Sequence, residues 1–307
     1  MDNVQEKVAF ITGAASGIGL GIAKVCAKHG MKVIITDIRQ DALDEAMKFF
    51  NENKYPAHSI RLDVTDREAY KKAADEAEAV FGKIHLLVNN AGIGAKREPL
   101  YNATYSDWDF ILSVNVTGVF NGIVEIVPRI LKHGEEGWVV STSSTGGATA
   151  VDGVGLYCMS KFAVAGMMET LASDLVGTNV GASVFFPGPI NSNLRVTTHQ
   201  VRPEEYKDAN FMASEAPTSS HAEFLHIFMD PLEGGERLMR GIKRGDLFIW
   251  THKEFEKGTR ARSDAIIRAF PDEPVNEERA EALKSFGTLT YNPIYDSQTT
   301  PGTPDWH

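Results

Sequence analysis

The chain has 307 residues, 43% of them hydrophobic and 23% charged, and a net charge of −10. That length fits one large α/β domain or two small ones, with enough apolar material for a sizeable core. The negative balance, with no long block of Lys and Arg, argues against general affinity for nucleic acid or an anionic membrane.

No apolar run approaches the ~18 residues of a membrane span, and the polar start MDNVQEKVAF lacks signal-peptide architecture. The two cysteines, Cys26 and Cys158, have no spacing for a disulfide framework or a zinc site. The expectation is a reducing, cytoplasmic setting with no metal.

Residues 7–12, KVAFIT, form a short apolar run ending in Gly13-Ala14-Ala15-Ser16-Gly17-Ile18-Gly19, and a helical pattern follows to about residue 29. Strand, glycine turn and helix give the setting that a dinucleotide phosphate site requires. Glycines let the backbone approach the pyrophosphate, and the helix N-terminus offers free N–H groups and a positive dipole end. The spacing is G-x-x-x-G-x-G with no Gly-Lys-Ser/Thr after it, so a nucleoside triphosphate loop is not indicated. Residues 32–37, KVIITD, are a second strand ending in Asp37. Asp37 lies near the ~20-residue offset at which a carboxylate meets the ribose 2′-hydroxyl of NAD and repels the NADP phosphate. Its alternative role is a strand-end turn or helix cap. Arg39 could soften the preference for NAD, but Ser16 supplies no second cation.

Residues 40–53 read as an amphipathic helix, 58–63 as a strand, and Asp66 as the cap of a helix to about residue 81. Asp63 and Val64 would then stand at a strand's carboxyl end, where doubly wound sheets bind ligands. Residues 85–90, HLLVNN, are the fourth strand, running into Asn90-Ala91-Gly92. This alternation predicts a Rossmann-type doubly wound parallel sheet of about seven strands, with helices on both faces and right-handed crossovers. In the next helix Trp108, Leu112, Asn115 and Val119 form one stripe. An asparagine there either makes a structural hydrogen bond or serves a polar site.

Residues 137–144, GWVVSTSS, are a buried strand that brings Ser144 to the sheet's edge. Tyr157 and Lys161, four residues apart, share a helix face continued by Val164 and Met168. A lysine in an apolar stripe is costly unless its charge is needed. A core tyrosine, a snorkelling lysine and a serine-rich turn are the alternative. A strand over 181–186 leads into Pro187-Gly188-Pro189-Ile190-Asn191-Ser192. Residues from about 188 to 230 have poor periodicity, hold His199, His221, His226, Tyr206, Phe211, Phe224 and Phe228, and predict a substrate lid. The aromatic residues there could equally serve only packing. A helix over about 231–243 and a strand over 246–251 follow. Residues 253–270 and 276–286 look helical, and the tail from 287 irregular. No repeat or linker divides the chain, so residues 1–307 read as a single domain with a C-terminal extension from about 253.

Together these residues resemble the short-chain dehydrogenase/reductase family. The match is Thr12-Gly-x-x-x-Gly-Ile-Gly19, Asp37, Asp63-Val64, Asn89-Asn-Ala-Gly92, Asn115, Ser144, Tyr157-x-x-x-Lys161 and Pro187-Gly, in order over about residues 5–250. The resemblance implies NAD as cofactor, held by Gly13, Ser16, Gly17, Ile18, Gly19 and Asp37. It extends that role to Asp63, Val64, Asn90, Tyr157, Lys161, Ile190 and Ser192. It further implies that Tyr157 exchanges the alcohol proton and that Lys161 contacts the nicotinamide ribose and lowers the phenol's pKa. Ser144, selected over Ser143 by the family's offset, would hold the substrate oxygen, and Asn115 would position a water on a proton relay. Ser192 replaces a usual threonine and keeps a hydroxyl for the nicotinamide carboxamide. A homodimer or homotetramer joined through the Asn115 and Tyr157 helices is implied as well.

Residues 37–50, 102–110 and 247–262 look similar to bacterial Cα-dehydrogenases. Those enzymes use NAD to oxidise lignin-derived β-aryl ethers such as guaiacylglycerol-β-guaiacyl ether at the benzylic alcohol. The expectation is NAD-dependent oxidation of an aromatic secondary alcohol. A hydroxysteroid or polyol dehydrogenase and a non-catalytic dinucleotide sensor are the alternatives.

Overall fold

The computed structural model describes residue 1 and residues 3–207 and 226–300. Short apolar runs rich in β-formers make β1 (Val8–Thr12), β2 (Lys32–Asp37), β3 (Ala57–Arg61), β4 (Leu86–Asn89), β5 (Gly137–Thr142), β6 (Val180–Phe186) and β7 (Phe248–Trp250). They pair in parallel in the order β3-β2-β1-β4-β5-β6-β7. Every residue of β1 and β4 is buried, as continuous apolar strands covered on both faces should be. The order reverses between β1 and β4, which opens a crevice outside their carboxyl ends.

On one face lie α1 (Gly17–Lys28), α2 (Gln40–Glu52) and α8 (Pro231–Arg244), which bury Ile22, Val25, Leu43, Phe50, Leu238 and Ile242. The other face carries α3 (Arg67–Phe81), α5 (Gly118–His133) and α6 (Gly155–Asp174), with Tyr70, Ile126, Ile130 and Met168 inside. Burying each of these large side chains contributes about 1.5–3 kcal/mol, so the two layers fix the sheet between them.

Three sequence expectations change. The strand predicted over 58–63 ends at Arg61, because Asp63 leaves the ladder to accept hydrogen bonds from Thr65. Residues in the supposedly irregular lid form α7 (Leu194–Gln200) and a 3-10 turn, Glu204–Tyr206. No glycine or proline interrupts LRVTTHQ. Phe211, His221 and Phe224 lie outside the described residues.

The third change concerns membrane-length segments, of which none was expected. α4 (Tyr105–Leu112), a π-helical turn (Ser113–Thr117) and α5 run on as one 29-residue rod, long and apolar enough by length and composition to cross a membrane. Half of its most apolar window is buried inside the fold, as a core helix would be.

The tail from 287, with only 3-10 turns among its described residues, packs back on the protein. Ile294 is buried, Asn292 Nδ2 donates to Ser173 Oγ at 3.2 Å, and Tyr295 Oη donates to Glu169 at 2.7 Å. At the outer edge of β7, Gln298 Oε1 accepts from the Phe248 N–H at 2.8 Å and Nε2 donates to the Phe248 carbonyl at 3.3 Å. A side-chain amide thus stands where a neighbouring strand would pair. By contrast α9 (Glu256–Arg268) and α10 (Glu277–Leu283) bury no residue.

Candidate functional site

A cleft of about 480 Å³ runs along the carboxyl ends of the strands, from the glycine turn to Tyr157. Its phosphate end is built by backbone. Gly13 (φ +61°) and Gly17 (φ +53°) lie in the left-handed region, and a Cβ on Gly13 would come 2.7 Å from Ala91 Cα. Thr12 Oγ1 accepts from the Asn90 and Ala91 N–H groups, each at 3.0 Å, while Asn90 Nδ2 donates to the carbonyls of Thr12 (3.1 Å) and Gly13 (3.2 Å). Asn90 therefore locks the turn against the end of β4. α1 starts at Gly17 with no side-chain cap and no acid in its first turn, and Ser16, Gly17 and Ile18 line the cleft. The free N–H groups and positive dipole end suit a pyrophosphate. Gly19 lies behind the turn, where a Cβ would meet Gly13 O at 2.3 Å.

Asp37 ends β2 with its carboxylate nearly enclosed, and Arg39 clasps it. Arg39 Nε donates to Oδ1 at 3.0 Å, Nη2 to Oδ2 at 3.1 Å, and the backbone N–H to Oδ1 at 3.1 Å. The same Nη2 donates to Ser16 Oγ at 2.9 Å, so one guanidinium bridges the acid and the glycine turn. Sequence reasoning noticed Arg39 as a cation but missed the clasp; the signal available was its position two residues beyond a strand-ending acid. Asp63, Val64 and Thr65 form the next wall, with Thr65 N–H donating to Asp63 Oδ1 at 2.9 Å and Asn121 Nδ2 to the Val64 carbonyl at 2.9 Å. These donors, glycines and the acid fit a dinucleotide laid from α1 toward β5.

The other end carries titratable groups. Tyr157 and Lys161 occupy successive turns of α6, with Nζ 5.6 Å from the phenol ring centre. The Ser144 hydroxyl accepts from Gly146 N–H at 3.2 Å and stands near enough to the Tyr157 phenol to pull its pKa down. Ser143 points elsewhere, donating to the Lys161 carbonyl at 2.8 Å, which separates the two serines. Lys161 is 4% exposed and donates to the Thr142 carbonyl at 2.9 Å; burial lowers its pKa to about 8. Burial pushes the Tyr157 phenol up, the Ser144 hydrogen bond works against that, and Cys158 adds slightly to the rise. The lowering of the phenol expected from Lys161 is not among these influences: within the chain alone, only Ser144 opposes the rise.

Asn115 sits in the π-helical turn, fully buried. Its Oδ1 accepts from Ile93 N–H at 2.8 Å, and Nδ2 donates to the Ile93 carbonyl and to Ser160 Oγ, each at 3.0 Å. Of the two roles left open by its spacing, the side chain fills the structural one, tying the loop after β4 to α6. The π turn, a frequent mark of functional sites, has no signature in the apolar periodicity. Ile190 turns its side chain onto α8, where a Cβ on Gly234 would meet it at 2.8 Å, and it does not line the cleft. Ser192 lies against the start of α1, its Cβ 3.0 Å from where a Cβ on Gly17 would stand.

A cleft so arranged is that of a dinucleotide-dependent oxidoreductase. The short chain dehydrogenase family profile matches residues 7–202, and the chain belongs to that family. It is 36% identical to the C alpha-dehydrogenase of Sphingobium sp. strain SYK-6 over 292 residues, 94% of this chain and 95% of that one. Among solved structures, a Burkholderia phymatum short chain dehydrogenase/reductase in complex with NAD superposes with a TM-score of 0.79 at 30% identity, covering 90% of this chain and 100% of that one. The apo form of LigO from Sphingobium sp. strain SYK-6 gives 0.75 at 34% identity, covering 95% and 100%.

Proposed function

We propose that this NAD-dependent oxidoreductase converts a benzylic secondary alcohol to a ketone. The alcohol is the Cα carbinol of a lignin-derived β-aryl ether such as guaiacylglycerol-β-guaiacyl ether. The observation that carries the reading is the meeting of the Ser144 hydroxyl, the Tyr157 phenol and the buried Lys161 ammonium at the end of a dinucleotide cleft. Similarity to a C alpha-dehydrogenase along 94% of the chain supports the substrate class.

NAD supplies the hydride acceptor. As the phenolate, Tyr157 would take the hydroxyl proton at its oxygen and become the phenol, and Ser144 beside it would hold the substrate oxygen as alkoxide character develops. Lys161, fixed by the Thr142 carbonyl, would offer its remaining N–H groups and its charge to the cofactor ribose. Asp37 would hold the adenosine ribose hydroxyls once Arg39 releases its carboxylate. Asn115 keeps the Ile93 loop, one wall of the cleft, in place. Self-association would use the rod of residues 105–133, which exposes Trp108, Phe120 and Val124.

NADH formation from NAD and the separated stereoisomers of guaiacylglycerol-β-guaiacyl ether tests this, with a hydroxysteroid and a polyol alongside. Rapid turnover of particular ether isomers is the expected result. Activity on a control but on no ether would leave the dehydrogenase and remove the substrate assignment.

A further inference from the structure

Beside the catalytic cleft lies a second cavity of about 200 Å³. The two share Ile93 and Phe110 in their walls. The floor of the second is apolar, with Ile93, Phe110, Ile111 and Leu156 belonging to one small buried cluster behind Tyr157. Its rim is charged: Lys96, Arg97, Arg195 and Arg202 against Glu98 and Asp107, four cations to two carboxylates in a chain of net charge −10.

The pairings show which charge is available. Arg202 is committed: Nη1 meets Asp107 at 2.7 Å, Nε donates to the Tyr206 carbonyl at 2.8 Å, and the guanidinium lies 5.3 Å from the Phe110 ring centre. Lys96 pairs with Glu98 at 3.1 Å, and Arg97 with the outlying Asp152 at 3.2 Å. Arg195, on α7 at the mouth, has no anionic partner among the described residues. An apolar slot wide enough for one aromatic ring, topped by an uncommitted guanidinium, suits a ring that carries a negative charge.

Resting on the function proposed above, we infer that this cavity takes the distal aryl ring of a two-ring alcohol, and that Arg195 pairs with an anionic substituent, a carboxylate, on that ring. The carbinol stays at Tyr157, and the ether linkage passes between Ile93 and Phe110. Arg195 then determines specificity without touching the reacting atoms.

The test compares two β-aryl ethers with the same carbinol, one neutral and one bearing a carboxylate on the distal ring. Wild-type enzyme should favour the carboxylated ether in kcat/KM by about tenfold or more, as for a hydrogen-bonded charge pair. That preference should reside in KM, fall toward unity in Arg195→Gln and return in part in Arg195→Lys. Ala103→Trp, which fills the cavity, should cut turnover of both ethers at least tenfold relative to a one-ring benzylic alcohol, whose oxidation also reports an intact fold. Turnover of both ethers with equal efficiency, or a preference untouched by Arg195→Gln, overturns the inference and leaves the proposed function standing. Oxidation of the one-ring alcohol or a hydroxysteroid with neither ether accepted removes both.

Discussion

Lys161 is the residue where function and stability oppose each other. Its ammonium is buried with a single hydrogen bond among the described residues, to Thr142, and burial holds its pKa at about 8 rather than 10.5. The unfolded chain keeps that proton up to about pH 10.4, so stability should rise as pH climbs through the window between the two values. Below pH 8 the buried charge costs the fold on the order of 3 kcal/mol. Lys161→Met should therefore melt no lower than the parent at pH 7 while losing activity, as thermal denaturation beside an NADH-formation assay would show. Tyr157→Phe, which removes only the phenol oxygen, should lower kcat by about a thousandfold or more and leave the NADH dissociation constant within about threefold. Retained turnover would exclude the phenol as acid/base. Asp37→Ala has a less obvious outcome because of Arg39. Without its carboxylate partner, the guanidinium beside Ser16 becomes a receptor for a 2′-phosphate, so the NADP to NAD ratio of kcat/KM should rise by about tenfold or more. An unchanged ratio would show that the clasp does not read the cofactor.

At the scale of an element, the start of β4 is tied to β1 through His85. Its Nδ1 accepts from Val8 N–H at 3.2 Å and its Nε2 meets Glu135 at 3.1 Å, in a cluster with Lys7, Lys83 and His133. An acceptor Nδ1 requires the neutral ring. Burial lowers the His85 pKa, against an upward pull from Glu135 and with further lowering from Lys7 and His133. The unfolded chain therefore takes a proton first as pH falls below about 6.5, and stability declines from there toward the lower folded pKa. The urea midpoint should drop between pH 7 and pH 5, and His85→Asn, with an acceptor near the Nδ1 position, should flatten that dependence. The strands, the glycine turn and the Tyr157–Lys161 face were legible in the sequence because each is a local pattern of spacing and apolar character. The Arg39 clasp, the Ile93 partners of Asn115 and the inward turn of Ile190 were not. Each depends on which distant backbone or side chain the completed fold sets opposite. Asn115 shows the limit well: its stripe announced a buried amide, but only the loop after β4, 22 positions upstream, decides what it binds.

For the whole molecule, the alternation of strand and helix sets the sheet order, and that order places every candidate group on one side. The crevice exists only once β4 is in place, since β1 and β4 meet after the chain has gone out through β3 and returned. The sheet's two ends are not equally protected by this plan. β7 has only three residues, Phe248–Trp250, and it is sealed by the Gln298 amide and the nearby Thr299–Asp246 hydrogen bond. An unpaired strand edge is a template for another chain's strand. Removing residues from 291 onward should thus leave NADH affinity unchanged, because the cleft lies elsewhere, yet make the protein scatter light on gentle warming. Gln298→Ala should do so more weakly. Clear solutions from both variants would show that the tail does not protect this edge. If they cloud, the short irregular tail keeps the folded enzyme from polymerising edge to edge, and solubility depends on residues far from the chemistry.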